Sequence, residues 1–414
     1  MPERRLIRTV TLRNILSYGD EPQPIELGAL NVIIGPNNAG KTNLVNVLGL
    51  LRSTRDDFAQ KLRELGGVSE WLWKGGSQIP VAEIDATIDY PDNPSMPLRH
   101  RLSFTEVGLR SELVDEVIED QHKRDPNAST PYFYYKYQSG RPVVNILLGT
   151  DESDHVSSPA VLQSGPRRER KLRREDLKPD QSVLSQKVDK DLYPEITYLS
   201  ETYKNQLAIY RVFNVTDNSD LRRPVKTDLP IDYLHETGMN LALVLNEMQH
   251  RGLKHRMMEL LNKFYFAAND LTIKIQDNSA QLYLHERGLK TPIPATRLSE
   301  GTIRFLALLA ILCHPSPPSL VCLEEPELSL HPDIIPTLAE MLMDASSRTQ
   351  VIVTTHSEAL ISALSSVPDS VLVCERDQRG SHLRRLDPDK LERWLEKYTL
   401  GQLWSMGEIG GTRW

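Results

Sequence analysis

Apolar residues recur along this chain in three rhythms, and each rhythm predicts a different kind of element. Alternation over residues 6–12 and 24–27 predicts two strands with one buried face. The runs at 31–34, 320–323, 350–354 and 371–374 are short, nearly all apolar and rich in β-branched residues, as in strands covered on both faces. Helical spacing marks 44–51, 194–212, 233–264, 301–313 and 332–345. Period two returns between 79 and 148, at Val81, Ile84, Ala86 and Ile88, then at 98–104 and 133–146, which predicts an antiparallel meander. Two further strands are expected within 271–284. Between 149 and 185 apolar content falls and charge rises, the composition of an exposed loop. No internal repeat and no sustained heptad interrupts this order.

Composition narrows the class of protein. The 414 residues predict two or three structural units, and 39% hydrophobic with 25% charged residues is ordinary for a globular chain. A net charge of -7 supplies no global field toward nucleic acid or an acidic membrane, so any such contact needs a local patch. Cys313, Cys322 and Cys374 lie in apolar surroundings without metal-ligand spacing, which predicts buried thiols in a reducing compartment. No apolar run approaches the roughly 18 residues of a membrane helix. Residues 1–5 lack the apolar stretch of a signal peptide, so a cytoplasmic location is expected.

Three segments carry chemistry. Gly35-Pro36-Asn37-Asn38-Ala39-Gly40-Lys41-Thr42, with Asn43 following, lies between an apolar strand and a helix. In that context the glycines let backbone N–H groups turn toward phosphate oxygens. Lys41 then meets the β- and γ-phosphates, and Thr42 offers a hydroxyl to Mg²⁺. Glu324-Glu325-Pro326-Glu327 closes an apolar strand, where charge is costly without a cation or proton partner. Glu324 is placed to hold Mg²⁺ and Glu325 to polarise an attacking water, whereas Glu327 could instead favour the start of the next helix. Ser299-Glu300-Gly301 opens a helix that is apolar nearly all round, which makes an anion site of a buried helix start. His356, after the last buried strand, falls one strand–helix–strand unit beyond the acidic cluster, near the expected γ-phosphate.

In this order the segments resemble the ABC-type ATPase superfamily, in its soluble branch with RecF, the structural-maintenance-of-chromosomes (SMC) proteins and the overcoming-lysogenization-defect (OLD) nucleases. Residues 35–42 match Walker A, 298–301 the signature, 320–325 Walker B and 328–332 the D-loop, with His356 as the switch histidine. Arg13-Asn14-Ile15-Leu16-Ser17-Tyr18 resembles the segment of that branch that lies against the nucleotide. The resemblance covers about 1–90 and 230–375, and it implies an α/β ABC-type ATPase head with a central mixed sheet, an antiparallel β lobe and a helical/β insertion. It further implies ATP and Mg²⁺ as cofactors, with Lys41, Glu325 and His356 catalytic. Gly35, Pro36, Asn37, Asn38, Ala39, Gly40, Lys41, Thr42, Asn43, Arg13, Asn14, Ser299, Glu300 and Gly301 would bind nucleotide, and Thr42, Glu324 and Gln78 the metal. Gln78 stands in for a Q-loop glutamine, which is hard to place. Glu324 replaces the usual Walker B aspartate, and Glu300 the signature glycine of transporters.

The organisation expected is a first ATPase portion at 1–90, a β-rich and helical insertion at 91–230 and a second ATPase portion at 231–375, followed by a tail at 376–414. About 58 residues follow His356, too few for the Toprim nuclease of OLD proteins, and the ending resembles stand-alone ATPases of two-gene bacterial systems, several of which act in phage defence. The plain alternative for the tail is two tryptophans, Trp404 and Trp414, docked on the core. Arg167-Arg168-Glu169-Arg170-Lys171-Leu172-Arg173-Arg174 is expected to be a solvated loop, or else a track for a nucleic-acid backbone or an acidic partner. The function expected is an ATPase with composite sites between subunits of a homodimer or larger homo-oligomer. It would control a separately encoded effector, a Toprim-like nuclease, on a nucleic-acid or phage-protein trigger, with no membrane contact. The alternatives are a RecF/SMC-like DNA-repair ATPase and, against the β-rich insertion, a transporter subunit.

Overall fold

The computed structural model describes residues 5–76, 78–138, 141–147, 167–172, 177–211, 213–216 and 219–412. Its centre is a six-stranded sheet in the order Leu207–Tyr210, Leu320–Glu324, Gln350–Thr354, Leu30–Ile34, Val371–Asp377, Gly380–Arg385. The first five strands run parallel and the last returns as an antiparallel hairpin. Parallel strands need cover on both faces, and Leu30–Ile34 is buried at every position. Val32 and Ile34 enter a core with the helix Glu300–Leu312, while Ile33 enters a second core with the helix Lys41–Ser53.

That second core is shared with an eight-stranded antiparallel sheet, ordered Pro24–Glu26, Ile7–Arg13, Ala82–Ile88, Leu98–Val107, Arg110–Asp120, Phe133–Gln138, Arg141–Leu147, Arg167–Lys171. One face contributes Ile84, Leu102, Ile118 and Val144 to the core. Ion pairs of Arg99 with Asp85 and Glu119, and of Arg101 with Asp115, cross the strands on the other. Gln350 clips the two sheets together. Its buried Oε1 accepts from the backbone N–H groups of Leu6 and Ile7, and its Nε2 donates to the carbonyls of Ile7 and Gly28. A small third sheet is built on the hairpin Ala268–Gln276 and Ser279–Glu286, the two strands expected within 271–284.

Three expectations are corrected. The apolar stretch 194–212 is not one helix: the helix Pro194–Asn205 stops, and Leu207–Tyr210 forms the strand beside Leu320–Glu324. All four of its residues are buried, and a fully buried run so short carries no periodicity to tell strand from helix. The stretch 233–264 becomes helical only at Leu241–Met248, then passes through a wide turn with Gly252 at φ 84° into Lys254–Phe264. Residues 233–240 form a loop wrapped on the Asn240 side chain, which accepts from His235 N–H and donates to the carbonyls of Pro230 and Tyr233. The basic run is an edge strand over Arg167–Lys171, not a loop, and Arg167 pairs with buried Glu195. Arg173 and Arg174, and most of the charged stretch 149–185, lie outside the described residues. A further strand, Arg110–Asp120, pairs along the whole of Leu98–Val107. Its mixed polar sequence gave no period to read.

Candidate functional site

The phosphate-loop strand ends at Gly35, whose φ of 147° is glycine territory and whose absent Cβ would sit 2.2 Å from the carbonyl oxygen of Cys374. Gly40, at φ 115°, opens the helix Lys41–Ser53, and a Cβ there would strike Ser381 and Ser17. Both positions demand glycine, so the loop is closely fitted to its neighbours. Lys41 is buried, and its Nζ donates to the carbonyls of Gly35 at 2.8 Å and Pro36 at 3.0 Å. Burial lowers its pKa, against the raising influence of Cys374 and Glu325. Asn37, Asn38 and Thr42 are exposed at the loop, and Ala39 is buried beneath it, its carbonyl accepting from Ser381 Oγ and Cys374 Sγ.

Of the segment 13–18, it is the later residues that touch the loop. Asn43 Nδ2 donates to Ser17 Oγ at 2.8 Å, and Tyr18 OH to the Gly40 carbonyl at 3.2 Å. Arg13 is exposed at its strand end, and the Asn14 side chain donates to the carbonyl of Val81.

The acidic cluster stands next to this loop because parallel register places it there. Glu324 pairs with Thr354, and Thr354 with Ile33, so three strands end together. Glu324 Oε1 is buried without a hydrogen-bond partner, and burial raises its pKa, opposed by Arg211. Glu325 takes a left-handed φ of 45°, a conformation that β-region neighbours do not impose and that concentrates at functional sites. Its N–H donates to the Thr354 carbonyl, and its Oε1 lies 3.9 Å from Nε2 of His356, each side chain 36% exposed. Burial first, and Lys41 second, lower the His356 pKa from 6.5, while Glu325 acts to raise it. Glu327 faces the histidine turn: its Oε1 accepts from Thr355 Oγ1 and the His356 N–H, and burial raises its pKa.

Ser299 caps the helix Glu300–Leu312 by accepting from Thr302 N–H at 3.1 Å. Ser299 and Glu300 are exposed, and a Cβ on Gly301 would lie 2.8 Å from the carbonyl of Ser329 in the turn after the acidic cluster. The approach to this helix is fixed by Arg222, a buried guanidinium that donates to the carbonyls of Val215, Ala295 and Leu298. Sequence reading missed Arg222, whose isolated position carries no motif. It missed Arg211 as well, which follows the strand Leu207–Tyr210, acts on Glu324 and reaches Asn46 of the phosphate-loop helix at 2.6 Å. Gln78 lies exposed ahead of the strand Ala82–Ile88.

The donor set fits a nucleotide with a divalent cation. A side chain at Gly35 or Gly40 would collide with the loop's own supports, Lys41 rests on carbonyls that phosphate oxygens could replace, and Glu324 presents an orphaned buried carboxylate oxygen.

Residues 169–362 match a family model described as "AAA domain, putative AbiEii toxin, Type IV TA system", a span that takes in the signature, the acidic strand and His356 but not the phosphate loop. A 47-residue stretch is 47% identical to the uncharacterized protein MJ1542 of Methanocaldococcus jannaschii, covering 11% of this chain and only 6% of that protein. Among solved structures the chain is similar to an SmcHead bound to the C-winged helix domain of ScpA, with TM-score 0.57 and 13% identity over 93% of this chain and 99% of that one. It is likewise similar to the Smc head domain with an extended coiled coil bound to the C-terminal domain of ScpA, from Pyrococcus furiosus, with TM-score 0.54 and 12% identity over 95% and 99%. The fold is thus a mixed α/β fold that resembles the Smc head.

Proposed function

We propose that this chain is an ATPase of the AAA/SMC-like type that binds ATP on the loop Gly35–Thr42, hydrolyses it at Glu325, and controls a separately encoded effector. The observation that carries the ATPase reading is the convergence at three adjacent parallel strand ends of Lys41, the orphaned Glu324 and the Glu325–His356 pair. Lys41 leaves the carbonyls of Gly35 and Pro36 to meet phosphate, as its three donors allow. Thr42 and Glu324 would hold Mg²⁺, which when bound neutralises phosphate charge and orients the group to be transferred. Glu325 orients the attacking water and accepts its proton, and His356, as a neutral imidazole, hydrogen-bonds the same water or the phosphate.

The exposed Ser299 and Glu300 support a shared site, in which the signature of one copy closes on nucleotide held by Lys41 of another. The effector reading draws on the motif resemblance, and the matched description, which names a putative AbiEii toxin and a Type IV TA system, bears on it without naming a separate effector. A second reading, an ATPase that acts on DNA without a toxic partner, draws on the similarity to Smc heads.

Isothermal titration and phosphate-release assays on three proteins test the core claim. Lys41→Ala is expected to lose ATP binding, because charge and phosphate contacts vanish together. Glu325→Gln is expected to keep binding and slow hydrolysis by about 10²- to 10⁴-fold. Wild-type turnover in Glu325→Gln would reject Glu325 as the base. Strong Mg²⁺-dependent cleavage of DNA or RNA by the wild-type chain alone would reject the separate effector, and ATPase stimulated by DNA alone would favour the second reading.

A further inference from the structure

The stretch Thr399–Thr412 lies far from the phosphate loop in sequence and against it in space. Thr399 caps the helix Leu400–Ser405 in a reciprocal box with Gln402. The chain then turns through Gly407, Gly410 and Gly411, at φ 83°, 77° and 71°, conformations open to glycine. The last of these turns rests on the end of the phosphate-loop strand: a Cβ on Gly411 would lie 3.4 Å from Gly35 Cα and 2.8 Å from Val373 Cγ1. Three hydrogen bonds hold it there. Trp404 Nε1 donates to the Gly411 carbonyl at 3.1 Å, the Gly411 N–H to Glu375 Oε1 at 2.9 Å, and Arg384 Nη2 to the Ile409 carbonyl at 3.0 Å. Gly411 and Ile409 are buried.

Gly35 is therefore bounded on two sides. The backbone of Cys374 lies against it on one, and on the other Gly411 leaves no more than the room of a methyl group before its Cα. Its carbonyl is the one that accepts from Lys41. A shift of this peptide moves one of the two oxygens on which Lys41 rests and, through Pro36, which has no N–H, the position of the Asn37 N–H beyond it.

From this geometry we infer that Gly411, held by Trp404 and Glu375, is a positioning element for the phosphate loop. It fixes the Gly35 peptide, and with it the conformation in which the loop meets phosphate. The inference rests on the ATPase reading for its catalytic consequence, but the fixing of the loop stands apart from any nucleotide.

The test is Gly411→Ala in the full chain, with Trp404→Phe as a milder variant that keeps an aromatic ring, though a smaller one, and removes the donor. Trp394→Ala is the control, since Trp394 lies on the same tail and is 43% exposed. Hydrogen exchange of the peptide spanning Gly35–Ala39, without nucleotide, is expected to speed up in Gly411→Ala and, to a smaller extent, in Trp404→Phe, and to stay unchanged in Trp394→Ala. The KM for ATP is expected to rise about tenfold or more in Gly411→Ala with a smaller change in kcat, since the loss is in the pre-set loop. If Gly411→Ala fails to fold, Trp404→Phe decides by the same two readouts. Wild-type exchange of the loop in both folded variants, or a lowered melting temperature with wild-type exchange and KM, overturns the inference. An absence of ATP binding by the wild-type chain would reject the ATPase reading instead, and loop exchange would still decide the brace.

Discussion

Lys41 and His356 define the electrostatics of the site between them. Each charged form is disfavoured by burial, and Lys41 further disfavours the imidazolium. Because the folded-state pKa of His356 is lowered, its contribution to stability is present above the unfolded value and is lost as pH falls through the folded one. In the proposed mechanism the neutral imidazole is the working form, so ATPase rates should be level from about pH 7 to 8 and fall only below the ordinary histidine range. A pH–rate profile checks this, with His356→Gln expected to be slower and to lose the histidine share of the acid limb. A wild-type rate that climbs steadily as pH drops from neutrality would mean that the imidazolium does the work. These residues were legible because phosphate chemistry ties residue type to a short local pattern. Arg211 and Arg222 act across the fold from positions without a motif, and only packing brings them to the site.

Elements were legible where one face was buried and the other wet, as in Ile7–Arg13, Ala82–Ile88 and the helix Ile335–Ser346. Arg110–Asp120 was not, because polar residues are drawn inward along it. On the strands Leu98–Val107 and Arg110–Asp120, His100 and Glu116 are buried and joined by a 3.2 Å contact, with Tyr203 on the other ring nitrogen of His100 at 3.2 Å. Glu116 also accepts from Ser182 Oγ and from the Val183 N–H, which anchors the start of a short helix to the sheet. Glu116→Ala strands these donors in the core, and a loss of about 2–4 kcal/mol is expected. Urea unfolding measures it, and a change below about 0.5 kcal/mol, the range of an ordinary surface substitution, would show the network to be dispensable. ATP affinity well below the melting temperature should be unaffected, because the network touches none of the nucleotide residues.

At the scale of the whole molecule the proposed shared site, with Ser299 and Glu300 exposed, requires a second copy. Glu325→Gln with ATP should form a larger or longer-lived assembly in light scattering than Ser299→Arg with ATP, whose side chain would block the closing surface. Equal mass for both would remove the case for sites shared between subunits. The general fold was open to sequence reading because the motif-bearing strands are also its central strands. The order of the sheet was not, since the strand Leu207–Tyr210 had been hidden in a helical stretch.

Sheet order has a consequence for biosynthesis. The neighbours of Leu30–Ile34 are Gln350–Thr354 and Val371–Asp377, so the phosphate-loop strand leaves the ribosome without either of its hydrogen-bonding partners. The clip from Gln350 to Leu6 and Ile7 arrives just as late. At about 5–20 residues per second, a strand apolar but for Asn31 stays unpaired for roughly 15–70 s of synthesis. Nascent chains stalled before residue 350 should therefore be cut by protease within 30–34, and those released after residue 385 should resist. Protection already present in the shorter chains would show that the antiparallel lobe shields the strand on its own. If it does not, yield in the cell depends on how well the first hundred residues are sheltered while the last hundred are made.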